Sequence, residues 1–200
     1  MKIQRTLRAA LMAVTGAVMI GALRAAPTLT PYEDLDGQFM LDLPQGHQLA
    51  SKVEKMFYSF KGEGPDIMLL FEKKQKNLDE AGAMLISTVQ QQLKDAKPGP
   101  RSEAQVNGHP ATFIIYTSKM QVPIGNPVIT NVTVELFAMQ GSVRLKKGAL
   151  SFAAIYSAEQ KKQYEDTLKQ SFQSIREVGE AVKPAPAEKH EVKKDKGADK

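Results

Sequence analysis

The run Ser102-Glu103-Ala104-Gln105-Val106-Asn107-Gly108-His109-Pro110-Ala111-Thr112-Phe113-Ile114-Ile115-Tyr116-Thr117 decides the fold class. Two strand-like segments, 102–106 and 111–117, flank Asn107-Gly108. That dipeptide supplies the left-handed backbone pair of a two-residue hairpin turn. Strands joined by so short a turn run antiparallel, because a parallel return needs a dozen or more residues. Pro110 is expected at the start of its strand, where its missing N–H matters little.

Working outward, Leu78 to Lys94 reads as a helix with Leu78, Ala81, Leu85, Val89 and Leu93 on one stripe. Asn77 and Glu80 have the spacing of a capping box at its start, and Lys97-Pro98-Gly99-Pro100 ends it. Three strands are expected before it: 38–43, 56–60 and 66–72. The third is apolar on both faces, which predicts a strand covered on both sides. Beyond the hairpin, Ser118 to Val128 holds two prolines and a glycine and reads as a loop. A strand over 129–139, a basic connection over 140–148 and a last strand over 149–156 follow. Ser157 and Gln160 open a second helix, with Tyr164, Leu168, Phe172 and Ile175 as its buried stripe. The order predicts an α+β domain, an antiparallel sheet of about seven strands flanked by helices.

The two ends differ from this middle. Lys2, Arg5 and Arg8 lead an uncharged, mostly apolar run from Ala9 to Leu23, and Leu23-Arg24-Ala25 follows. That is the layout of a secretory signal with cleavage after Ala25. The run is short for a membrane span, which needs about 20 apolar residues. From Glu177 to Lys200 the chain is rich in Lys, Ala, Pro and Glu and reads as a disordered tail. The expected organisation is therefore a signal over 1–25, a single domain over 26–176 and a tail over 177–200. The formal net charge of +5 comes almost wholly from the signal, since 26–176 carries 17 basic and 16 acidic residues. A domain so balanced lacks the basic footprint of a nucleic-acid binder. There is no cysteine, hence no disulfide, thiolate metal site or thiol nucleophile.

Several strings together resemble the PsbP-like superfamily, which groups photosystem PsbP proteins, bacterial periplasmic DcrB proteins and a Ran-binding import factor. Gly37-Gln38-Phe39-Met40-Leu41-Asp42-Leu43-Pro44-Gln45-Gly46 is similar to the family's opening G-x-F-x-x-x-x-P-x-G. The helix after Asn77-Leu78-Asp79-Glu80, the Asn107-Gly108-His109-Pro110-Ala111 hairpin and Ser171-Phe172 follow in the family's order. The resemblance covers about residues 32 to 176. It implies an antiparallel sheet flanked by helices, and a protein that binds or scaffolds other proteins. It carries no catalytic residue over. The bacterial-type signal and Lys-rich tail depart from plant PsbP.

No motif for chemistry emerges beside it. His47 and His109 sit next to turns, and His190 lies in the tail; zinc wants several N or S ligands at close spacing. Asp34, Asp36 and Asp42 do not fit a calcium loop, because counting back from Gly37 puts Tyr32 at the first ligand position. Gln140-Gly141-Ser142-Val143-Arg144 lacks the second glycine of a nucleophile elbow. Asn131-Val132-Thr133 matches a glycosylation acceptor but falls in an expected strand. The mature chain's six methionines, from Met40 to Met139, read as fillers of core gaps.

The expected role is thus an exported, periplasmic or secreted binding or scaffolding module without enzymatic activity or cofactor, contacting an envelope protein partner. Nucleic acid is not expected, and a membrane only if the signal stays uncleaved. The segment singled out for contact is 118–128, with Met120, Val122, Pro123 and Ile124 as partner-binding residues, because they place apolar groups where a connection should be polar. The alternative is a carrier of a small apolar ligand between sheet and helix, with an unrecognised hydrolase third.

Overall fold

The computed structural model describes residues 28–54, 56–93, 95–124 and 130–181. The expected signal and residues 182–200 lie outside the described residues. The elements are β1 (Leu29–Glu33), β2 (Met40–Pro44), β3 (Gln48–Val53), β4 (Phe57–Lys61), β5 (Ile67–Lys73), α1 (Ala83–Gln92), β6 (Lys97–Pro98), β7 (Ser102–Val106), β8 (His109–Ile124), β9 (Thr130–Leu145), β10 (Gly148–Ser157) and α2 (Ala158–Gln173). One sheet runs β3-β4-β5-β10-β9-β8-β6, with β7 also paired to β8. Its pairings are antiparallel throughout, as the Asn107-Gly108 turn requires of its own pair. The fold is the expected α+β architecture.

Both faces of the sheet are covered. On one, Leu85, Val89 and Leu93 of the first helical segment pack on Leu70, Tyr116, Leu136, Ala138 and Ala153. On the other, α2 and a separate β1–β2 hairpin share a core with Ile67, Leu69, Phe71, Phe152 and Met139. Strand β5 therefore feeds Leu70 to one core and Ile67, Leu69 and Phe71 to the other, which accounts for its unbroken apolar run.

Helix α2 begins as its sequence specifies. Ser157 Oγ accepts the Gln160 N–H at 3.3 Å, and Gln160 Oε1 accepts the Ser157 N–H at 3.0 Å. Its Phe172 ring lies on Gly141, where a Cβ would come within 2.5 Å of ring carbons. Phe113 and Phe152 flank that ring at 5.5 and 6.0 Å between centroids.

Helix α1 starts later than expected. The Asn77 side chain bonds Asp79 N–H and Glu80, but this closes only a turn. Gly82 then adopts φ +74, and the helix begins at Ala83. A Cβ at residue 82 would lie 2.5 Å from Ser151 Oγ, so only glycine lets the chain approach the sheet this closely. Two more expectations are corrected. Residues 118–124 are not a loop, because β8 continues to Ile124. Residues 140–145 are not a connection, because β9 continues to Leu145 and the turn is only Lys146-Lys147. Strands β1 and β3 were not expected at all.

The last residues of the domain hold the first. Met40 and Arg176 exchange backbone hydrogen bonds at 2.9 and 3.0 Å. The Asp42 N–H donates to Ser174 Oγ, and the buried Arg176 guanidinium reaches Asp42 Oδ1 at 2.9 Å. Asn107 takes the left-handed conformation its turn needs, with φ +52. Its amide also donates to the carbonyls of Gln173 and Ile175, satisfying acceptors that the end of α2 leaves open.

The segment just past Arg176 is placed too, although the tail was expected to start at Glu177. Glu177 is buried and accepts the Lys146 N–H. Glu180 lies 2.9 Å from His109 Nε2 and 3.4 Å from Lys146 Nζ. The His109 contact pulls the Glu180 carboxyl from an ordinary 4.5 down to about 2. A carboxyl depressed in the folded state adds stability above its unfolded value, and that stability is lost as pH falls toward the folded value. Glu180→Gln should therefore be less stable than the parent at neutral pH, by under about 1 kcal/mol for so open a pair. The gap should close between pH 4.5 and 2. Denaturant melts at pH 7 and pH 2.5 test this; a gap that persists in acid would contradict it.

Candidate functional site

The sheet does not end evenly. Strand β10 pairs with β9 only as far as Ser157 with Leu136. On its outer side, β8 is paired to β6 only at Tyr116 and Thr117. From Lys119–Glu135 to Ile124–Thr130, β8 and β9 pair with each other alone. These six residue pairs form a two-stranded arm reaching about 20 Å past the sheet.

Directly opposed residues of an antiparallel pair share a face. One face of the arm is Met120 with Val134 and Val122 with Val132. The other is Lys119 with Glu135, Gln121 with Thr133 and Pro123 with Asn131. The polar face is knit by a 2.9 Å bond from Gln121 Nε2 to Thr133 Oγ1. The apolar face continues the α1-side core, against which Val134 is half-buried. Outward along it, Met120 is 41% and Val132 42% exposed.

Of the residues singled out by sequence, Met120 and Val122 thus share the apolar face, while Pro123 is exposed on the opposite one. Ile124 pairs through its backbone with Thr130, and its side chain lies outside the described residues. The sequence reading missed Val132 and Val134. Their alternation with Asn131, Thr133 and Glu135, inside the strand expected over 129–139, is the signal that carries them.

Elsewhere, polar groups are engaged in holding the fold. Lys52 Nζ lies 2.8 Å from both Asp34 and Asp36, and Asp42 is held by Arg176. All three aspartates weighed for calcium therefore have cation partners. Burial disfavours the Lys52 charge, but hydrogen bonds to Asp34 and Asp36 outweigh it and raise its pKa above the ordinary lysine value. Burial, then the Asp34 charge, pushes the Tyr58 hydroxyl up. His47 Nε2 bonds the Pro65 carbonyl at 2.9 Å. The buried hydroxyls of Ser142 and Ser151 bond one another at 2.8 Å beneath Gly82. Among the described residues, no three His, Cys, Asp or Glu side chains gather to hold a metal, and no helix is long and apolar enough to cross a membrane.

A cavity of about 80 Å³ lies between the sheet and the α1 segment, lined by Leu78, Ile86, Ile114, Thr112, Tyr116 and Gln140 among others. Ligand pockets for drug-sized molecules run to about 300–1,000 Å³, so this one is too small for a ligand of that size.

With two covered faces, a separate N-terminal hairpin and a C-terminal helix across the sheet, the domain has a PsbP-like fold. It is similar to the solution structure of cyanobacterial PsbP (CyanoP) from Synechocystis sp. PCC 6803, with a TM-score of 0.50 and 13% identity over 82% of this chain and 98% of that one. The Ran-binding protein Mog1p of Saccharomyces cerevisiae matches at a TM-score of 0.48 and 11% identity, over 76% of this chain and 97% of that one. A Pseudomonas aeruginosa protein of unknown function, described as a putative regulator, matches at 0.42 and 15% identity, over 78% and 99%. No protein family and no curated protein matches the sequence.

Proposed function

We propose that this chain is an exported, non-enzymatic binding module that takes an envelope protein partner on the apolar face of its β8–β9 arm. The observation that carries the reading is the arm itself: a two-stranded projection with Met120, Val122, Val132 and Val134 on one face and polar residues on the other. Exposed contiguous apolar surface on a soluble domain marks contact sites. The PsbP-like fold supports the reading, as does the engagement of the aspartates, His47 and His109 in structural bonds. Export is supported by the basic lead, the apolar run and Ala25.

The test replaces Met120, Val122 and Val132 with serine. Capture of the partner from the envelope fraction should fall at least tenfold, while far-UV circular dichroism and melting stay near the parent's. Terminal sequencing of this protein recovered from the envelope fraction should start at Ala26. Undiminished capture would remove the arm from the interface, and a chain starting at Met1 would remove the cleaved signal.

A further inference from the structure

The fold gathers six cations that the sequence scatters over 75 positions. Lys73 is paired across β5–β10 with Gly148. The Lys74 N–H donates to the Lys147 carbonyl at 2.9 Å. Arg144 Nη1 reaches the Lys76 carbonyl at 3.5 Å, and Lys146 and Lys147 form the β9–β10 turn beside them. All six side chains are exposed. Among the described residues only Lys146 has a carboxylate within ion-pair distance, that of Glu180. The neighbouring acids are engaged by other groups: exposed Asp79 pairs with Arg101, and exposed Glu80 accepts from the Asn77 amide. Glu72 accepts the Gly82 N–H, Glu177 accepts the Lys146 N–H, and Glu180 also faces His109. A domain that is nearly neutral overall therefore presents one strongly basic end.

The chain also leaves the described domain at this end. Glu177 and Glu180 lie against Lys146.

We infer that this basic end docks on an anionic lipid bilayer. The cations ride on exposed side chains along one end of the sheet, with Lys147 Nζ also donating to the Gly37 carbonyl at 3.0 Å. No aromatic side chain is exposed among them to stack a nucleic-acid base. Such an array fits a fluid layer of anionic headgroups, which conforms to spread point charges. The contact is separate from the arm and needs no membrane-inserted segment.

The experiment is co-sedimentation of the full chain, as recovered from expressing cells, with two vesicle types. One is phosphatidylcholine alone; the other contains about a third phosphatidylglycerol. The readout is the ratio of the two partition coefficients, which cancels what the apolar N-terminal segment adds to both. Each cation near an anionic surface contributes roughly fivefold to partitioning. Lys73→Gln, Lys76→Gln and Lys147→Gln combined should lower the ratio about a hundredfold at low salt. The matching triple arginine variant should keep it. The parent's ratio should fall toward one as ionic strength rises from about 0.01 to 0.15 M and the screening length shrinks below roughly 10 Å. A parent ratio near one at low salt overturns the proposal. So does a high ratio that the glutamine variant retains, which would move the lipid contact to another part of the chain. If the glutamine variant instead loses capture of an acidic protein while no vesicle binds, the surface belongs to that protein and the bilayer is wrong. Loss of partner capture in the arm variant with the lipid ratio intact would leave this inference standing.

Discussion

Replacing Phe172 by alanine is expected to cost the domain about 3–5 kcal/mol, the range for deleting a buried aromatic side chain. The ring is the point where α2 meets the sheet. It fills the space left by Gly141 and lies between Phe113 and Phe152. Those neighbours belong to β8 and β10, so the cavity would open among three strands that have little freedom to close on it. A loss of that size lowers the melting temperature by roughly 10 °C for a domain near 150 residues. The same contact makes a converse demand. Gly141→Ala places a Cβ 2.5 Å from the ring and 2.9 Å from the Thr112 carbonyl oxygen, so overpacking should cost about 1–3 kcal/mol. Chemical denaturation reads both. A Phe172→Ala loss below about 1 kcal/mol would mean that the ring faces water and that α2 is not packed on the sheet.

Lys52→Met should destabilise by about 3 kcal/mol, because it leaves the Asp34 carboxylate buried without its cation. Asp34 is 1% exposed, and besides Lys52 its carboxylate takes a long 3.3 Å bond from the Gln38 N–H and a hydrogen bond from the Tyr58 hydroxyl. Lys52 also holds Asp36 and lies 4.9 Å from the centre of the Tyr58 ring. It thereby pins the turn between β1 and β2 to β3. Adding Asp34→Asn to Lys52→Met should restore most of the loss, since it removes the orphaned charge; equal losses in the single and double variants would place the cost in lost packing instead.

What could be read in advance follows from which residues carry their instructions locally. Asn107-Gly108 and the Ser157–Gln160 box form their structures with near neighbours, and both appear as expected. The family-like strings also have physical reasons. Gly37 and Gly46 have positive φ, at +62 and +86, around the fully buried Phe39. The misses depended on distant partners. The later start of α1 is set by Ser151, which demands a glycine at 82. Strand β1 contains Pro31, and half of β3 is exposed on the sheet edge, so neither shows an apolar alternation. The arm was hidden by Pro123. The Ile115 carbonyl accepts the Gly99 N–H on the outer side of β8, and alternate residues of a strand point the same way. A backbone N–H at 123 would thus face the open edge, so proline there breaks no ladder bond. Met120 and Val122 were legible as misplaced apolar residues. That they share a face with Val132 and Val134 required the register.

The clasp between Met40 and Arg176 bears on the order of assembly. The β1–β2 hairpin is not part of the main sheet, and its backbone is tied to the domain through residues 174 and 176. Emerging from its N-terminus, the chain has its first hairpin and its whole sheet available while the groups that seat them are still missing. Until α2 arrives, Phe113 and Phe152 lack the ring that covers them. Contacts so far apart in sequence close late and slowly. The domain is therefore exposed along one face for nearly its entire synthesis, and it completes its core only when the last helix has left the ribosome.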